Sequence, residues 1–339
     1  MAVAPERSQH GNEPVRFFRK RLARQWPVPE SMGDAMPMLL IKGNFHLSGH
    51  TRPDGDTVPF IPDYVGEWKL VQGCHKPEPA ADGHVDVRLE GIDALETHYS
   101  GNYGTEERQP RKFADAATDA MLTWLGFTDI RRTLDLQTGH ETISATPDRV
   151  PGYILTRGSD VFGRCVALVV PGPPVGASGY EIDVRATLLE KTANQHLLAE
   201  GLAYPTFYSG FPAELRRAMT AAALTAKADP GKGIWNITSD TLGDVTLTGA
   251  KVTGMASITD NGAVILPKLF RRLKEYLSLG NTSLACFPAY LGGAADKFRV
   301  LSADHESKLI TGLHNVVEIT NGETVKMTHP SEELLFDEK

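Results

Sequence analysis

The stretch VRLEGIDALE, residues 87–96, places Arg88, Asp93 and Glu96 within nine residues on a segment whose apolar positions alternate like a strand. One sign of charge there would describe a solvated face. Both signs around an apolar strand point to a site. Carboxylates can ligate a hard cation or move a proton, and a guanidinium presents a planar donor fork that suits a carboxylate or a phosphate. Two further stretches carry the same residue types: DGDTV (54–58), with Asp56, and SDVFGR (159–164), with Arg164. Each also has a plain structural reading. DGD is a turn sequence, Asp93 and Glu96 can cap the element that follows the strand, and Arg88 and Arg164 can be surface cations.

The elements that must hold these residues are legible from periodicity. MLLIKGNFHL (38–47), the run after DGDTV, VDVRLEGID, YILT (153–156) and CVALVV (165–170) are expected as strands. Pro110 to about Leu125 is expected as a helix with Phe113, Ala117 and Met121 on one face, and further helices over about Leu188–Glu200 and Ala213–Ala228, the last stopped by Asp229-Pro230-Gly231. The loops at 66–84 and 129–152 look long. A boundary is expected near Ser239–Gly243, followed by a separate α+β unit over 243–339, with a strand running into a helix in NGAVILPKLFRRLKEYL and a hairpin at Asn321-Gly322. In residues 1–36, Phe18, Leu22 and Trp26 recur at helical spacing opposite Arg16, Lys20 and Arg24, a short basic amphipathic arm.

A formal net charge of −7 over 339 residues argues against a chain that is basic throughout for nucleic acid, so phosphate chemistry would need local cations. No stretch reaches the roughly 18 apolar residues of a membrane helix and no signal-peptide core opens the chain. Three widely spaced cysteines give no disulfide framework. These features fit a cytoplasmic protein without a membrane partner. Cys74, His75 and His84 lack a fourth ligand at recognisable spacing for zinc.

Taken in order, DGDTV, VRLEGIDALE, SDVFGR, NQHLLAEGLA (194–203) and GKGIW (231–235) resemble the landmarks of the staphylococcal-nuclease (thermonuclease) family over about residues 38–240. The resemblance implies an α+β fold, a five-stranded OB-type barrel with three helices over 37–240. It implies a Ca²⁺ site made by Asp56, Asp93 and the backbone carbonyl of Ala94, where the family usually has Thr. Ligand type alone does not separate Ca²⁺ from Mg²⁺ or Mn²⁺. It implies Glu96 as the general base, able to act only if unpaired with Arg, and Arg88 and Arg164 as the guanidinium groups that grip the phosphate.

The chain departs from the family where staphylococcal-type nucleases carry a Lys-Tyr pair, since Val161 and Phe162 stand there. The pocket tyrosines are matched loosely by Phe207 and Tyr208, so Phe162, Phe207 and Tyr208 are the candidate substrate contacts. The expected activity is a metal-dependent nuclease acting on DNA and RNA, leaving 3′-phosphate and 5′-hydroxyl ends. Residues 243–339 would hold it in check, as in a defence effector, join copies of the chain or recruit a partner. The competing expectation is a catalytically idle binding module, which in this fold loses the carboxylates and arginines that this chain keeps.

Overall fold

The computed structural model describes Met1 and residues 36–47, 51–73, 75–136, 139–236, 243–301 and 307–337. The expected basic arm, the expected boundary near 239–243 and Cys74 lie outside the described residues. The chain is a mixed α+β structure. Its first half runs β1 (Met36–His46), β2 (Thr57–Pro62), β3 (Val85–Leu89), β4 (Ile92–Ala94), α1 (Arg111–Leu125), β5 (Thr128–Leu134), β6 (Glu141–Thr146), β7 (Arg149–Ser159), β8 (Cys165–Pro171) and β9 (Tyr180–Val184). There follow α2 (Ala186–Leu189), α3 (Ala193–Ala199), β10 (Ala203–Pro205), β11 (Phe207–Tyr208) and α4 (Ala213–Lys227). The last hundred residues add β12 (Ala250–Lys251), α5 (Pro267–Ser278), α6 (Phe287–Ala294), β13 (Lys297–Val300), β14 (Ile310–Thr311), β15 (Val317–Thr320), β16 (Thr324–Met327) and β17 (Leu334–Phe336).

The central strands pair in a sequence that returns on itself: β1 with β2, β2 with β3, β3 with β8, β8 with β7, and β7 with β1. All are antiparallel except β3 with β8. Val58, Phe60, Val87, Leu89, Ile154, Leu168 and Val169 fill the space between them, and α1, α3 and α4 cover them with Met121, Leu197 and Met219. In α1 the expected face of Phe113, Ala117 and Met121 is buried, and Gly126 ends the helix in the left-handed region with its amide bonded to the last turn.

The expected strand VDVRLEGID is two strands. Gly91 at φ +81° turns the chain after β3, and β4 leaves to pair with β10, Asp93 opposite Tyr204 and Ala94 opposite Ala203. A side chain at Gly91 would also meet the flexible end of Met219, Cε at 2.8 Å, which can shift aside, so it is the conformation that calls for glycine.

Residues 129–152, expected as a long loop, contain the β5–β6 hairpin and the start of β7. The hairpin sends only Ile143 into the core, with Ile130 and Ala145 packed against it, and charge adds support: Arg132 reaches Asp119 at 2.7 Å and Arg111 reaches Glu141 at 2.7 Å. The expected hairpin at Asn321-Gly322 joins β15 to β16, both turn residues having positive φ.

The described residues from 36 onward belong to one compact unit, in which the segment expected to stand apart is included. Its core, around Phe270, Leu273, Phe287, Phe298 and Phe336, also takes in Leu95, Phe113, Tyr204 and Ile234 from the first half. β17 pairs in parallel with β11, and Gln109, fully buried, donates to the Ile265 carbonyl at 2.7 Å while its own oxygen accepts the Glu96 amide.

Candidate active site

Strand alternation fixes the first wall of the site. In β3, Val85, Val87 and Leu89 point into the core, so Asp86 and Arg88 point the other way, into a cleft of about 610 Å³. Thr57 stands opposite Arg88 in the β2–β3 register, which brings the DGD turn alongside. That turn is pressed close: a Cβ at Gly55 would lie 2.6 Å from the Ala94 side chain and 2.7 Å from that of Ala117. The Asp54 carboxylate accepts the Asp56 amide at 3.1 Å and so shapes the turn. Arg164 arrives from a tight turn before β8, in which Asp160 accepts the amides of Phe162 and Arg164. The same carboxylate holds the Arg164 guanidinium at 2.8 Å through Nε.

Asp56, Arg88, Glu96 and Arg164 therefore line one cleft, although 108 positions (164 − 56) separate the first from the last. Asp93 is fully buried directly behind Arg88, which donates to it at 3.0 Å and lies 3.6 Å from Asp56. Ala94 contributes its amide to Asp56 Oδ2 at 3.3 Å. Of the aromatic candidates, Phe162 stands exposed at the cleft lip and Tyr208 forms part of the wall. Phe207 is not brought to the cleft. It is fully buried, stacked on Phe211 at 6.2 Å, because its place between β10 and α4 turns it into the core.

The opposite wall comes from α5, and the sequence reading missed it. Arg271 Nη2 donates to Asp93 Oδ2 at 2.9 Å and Nη1 to Oδ1 at 3.3 Å, and Nη1 also donates to Glu96 Oε1 in a short ion pair. Lys268 and Arg272 line the same cleft, each bound to Asp296, and Lys268 also lies 4.3 Å over the Phe336 ring. The available signal was the i, i+3, i+4 spacing of Lys268, Arg271 and Arg272, which reads equally well as a solvated helix face. Asp54, Arg52 and His98 complete the surroundings.

Burial sets the proton affinities. It pushes the Asp54 carboxyl well above its usual range, with Asp56 and Glu96 adding to the effect. It pushes Glu96 up to about 7, with Asp56 and Asp93 assisting and Arg271 and Arg88 pulling the other way. Asp93 is fully desolvated, yet Arg271 and Arg88 together hold it below the ordinary carboxylate range. His98 is lowered to about 4 by burial, so it is neutral at physiological pH.

The residues expected to ligate Ca²⁺ do not fit that ion in this arrangement. A hard divalent cation takes about six to eight oxygen ligands and gains nothing from oxygens already committed to guanidinium groups. Both Asp93 oxygens and Glu96 Oε1 are bound by arginine, while the Asp56 oxygens accept from the Thr57 hydroxyl and the Ala94 amide. Among the described residues, no group of three or more His, Cys, Asp or Glu is arranged to hold a metal.

Comparison with protein-family models and with curated proteins finds no match. Among the described residues, no helix is long and apolar enough to cross a membrane.

Proposed function

We propose that this chain is a phosphodiester hydrolase acting on nucleic acid, on an OB-type scaffold of the staphylococcal-nuclease kind. What supports the reading above all is the convergence of Asp56, Arg88, Glu96 and Arg164 on one cleft, backed by Asp93. The ring of strand pairings among β1, β2, β3, β8 and β7 supports the five-stranded barrel of this reading.

In this reading Glu96 takes the proton of a water whose oxygen attacks phosphorus, the bond from phosphorus to the 5′ oxygen breaks, and that oxygen takes up a proton from solvent, giving a 3′-phosphate and a 5′-hydroxyl. A base works best when its proton affinity lies near the working pH, and Glu96, at about 7, is so placed. The expectation that the base must be free of arginine is replaced by a balance. Arg271 engages Oε1 and lowers basicity, and burial raises it again. Arg88 and Arg164 hold the phosphate oxygens whose charge grows as the bond to water forms. Tyr208 and Phe162 offer ring faces to bases along the cleft. No step is routed through Ca²⁺, since both oxygens of Asp93 are held by guanidinium groups and those of Asp56 by the Thr57 hydroxyl and the Ala94 amide.

The test is cleavage of labelled single- and double-stranded DNA and RNA by the full chain with Ca²⁺, Mg²⁺ or EDTA, beside Glu96→Gln and Arg164→Ala. Cutting lost in both variants supports the proposal. Cutting at the parent rate in both, or none by the parent on any substrate, refutes it.

A further inference from the structure

We propose that Arg271 is the resident cation of this carboxylate site, its guanidinium standing where a staphylococcal-type nuclease would ligate its metal and keeping a divalent ion out. The inference rests on the phosphodiesterase reading for its catalytic meaning only, because the occupancy of the carboxylates is tested without substrate.

Three observations carry it. The first is contact: one guanidinium bridges the proposed ligand Asp93 and the proposed base Glu96. The second is anchorage. Arg271 does not hang from a loose segment, since Leu269, Phe270, Leu273, Lys274, Glu275 and Tyr276 of α5 are buried. The Lys274 ammonium donates to the carbonyls of Ser100 and Tyr103 in short hydrogen bonds, and Glu275 accepts from Tyr99 and Asn102. These residues belong to the loop that leaves Glu96, so helix and site are built as one piece.

The third is charge balance. Asp56, Asp93 and Glu96 bring three carboxylates within reach of two guanidinium groups, Arg88 and Arg271. A divalent ion added to that set would leave a net positive charge in a largely desolvated place, which costs free energy. Without Arg271 the same carboxylates would have a deficit that a divalent ion fills. Arg271 also keeps Asp93, which has no exposed surface, ionised and oriented against Arg88.

The experiment is calorimetric titration of the full chain with Ca²⁺, comparing the parent, Arg271→Ala and Arg271→Ala/Asp93→Asn. The parent is expected to show no saturable binding into the millimolar range. Arg271→Ala is expected to gain affinity on the order of tenfold or more, because the strength of an oxygen site follows the charge of its free ligands, and Asp93→Asn should abolish the gain. A folded Arg271→Ala that binds no better than the parent overturns the proposal. So does saturable binding to the parent that Asp93→Asn removes. That last titration needs no Arg271 variant, so it decides the matter even if Arg271→Ala fails to fold, and Arg271→Gln gives a milder neutral substitution. Absence of cleavage by every form would refute the phosphodiesterase reading while leaving the titration result intact.

Discussion

Replacing Glu96 by Gln should abolish cleavage and at the same time stabilise the protein, by an amount that depends on pH in a defined way. The native carboxyl is raised from the ordinary 4.5 to about 7 by burial, so its ionised form is disfavoured in the folded state. Below pH 4.5 both folded and unfolded chains hold the proton and nothing is lost. As pH rises through 4.5 the unfolded chain ionises first, and the native state loses stability until the folded carboxyl ionises as well. At about 1.36 kcal/mol per tenfold in proton affinity, the interval from 4.5 to about 7 corresponds to about 3 kcal/mol once pH exceeds 8. Gln keeps the shape and an oxygen for Arg271, carries no charge and does not titrate. Urea unfolding of parent and variant at pH 4.5 and 8.5 should therefore show a difference well under about 1 kcal/mol at the lower pH, growing to about 3 kcal/mol at the higher. A difference that is the same at both pH values, or a variant less stable than its parent at pH 8.5, would refute the reasoning. It would mean that the ion pair with Arg271 outweighs the burial of the charge. Function would here be maintained against stability, as is common where a charged group is held in a desolvated site.

Gly91→Ala should destabilise the chain by about 1–3 kcal/mol from backbone strain at positive φ, and thermal unfolding would measure it. Gln109→Leu should cost about 1–3 kcal/mol by leaving the Glu96 amide and the Ile265 carbonyl without their buried partner, and hydrogen exchange at Glu96 should accelerate; unchanged exchange would mean that this bridge does not hold the site to the C-terminal segment. Burial pushes the Cys165 thiol up to about 12, so at pH 8 mass spectrometry after alkylation should find Cys165 unmodified in the folded chain and modified in urea, whereas exposed Cys286 reacts in both.

How much of this was legible in the sequence depended on the range of the forces involved. The alternation of Val85, Val87 and Leu89 fixed which way Arg88 faces, and the face of Phe113, Ala117 and Met121 fixed α1, because both patterns report burial by the nearest layer. Asn321-Gly322 marked its turn through backbone preference, and Asp54-Gly55 through the Asp54 carboxylate that accepts the Asp56 amide. The β5–β6 hairpin escaped because only Ile143 is fully buried, with Ile130 and Ala145 against the core, and the ion pairs to α1 that add support leave no period. Phe207 and Tyr208 are neighbours of the same chemical kind, and only the pairing of β11 with β17 and the position of α4 decide that one is core and the other cleft wall. Arg271 was the largest omission. Its contacts with Asp93 and Glu96 span 178 and 175 residues, and nothing local distinguishes it from Arg272 beside it.

The dependence of Asp93 and Glu96 on a helix near the other end of the chain gives the site an order in time. During synthesis the strands carrying Asp56, Arg88, Asp93, Glu96 and Arg164 emerge well before α5, and residues 95, 113, 204 and 234 wait with them for the core they share with the last hundred residues. A nascent chain that has reached residue 240 has Arg88 beside Asp93 but no Arg271 for Asp93 and Glu96, and an apolar face without its cover. The site is thus completed only after α5 has been made, and a chain ended before it carries every residue of the resemblance without Arg271.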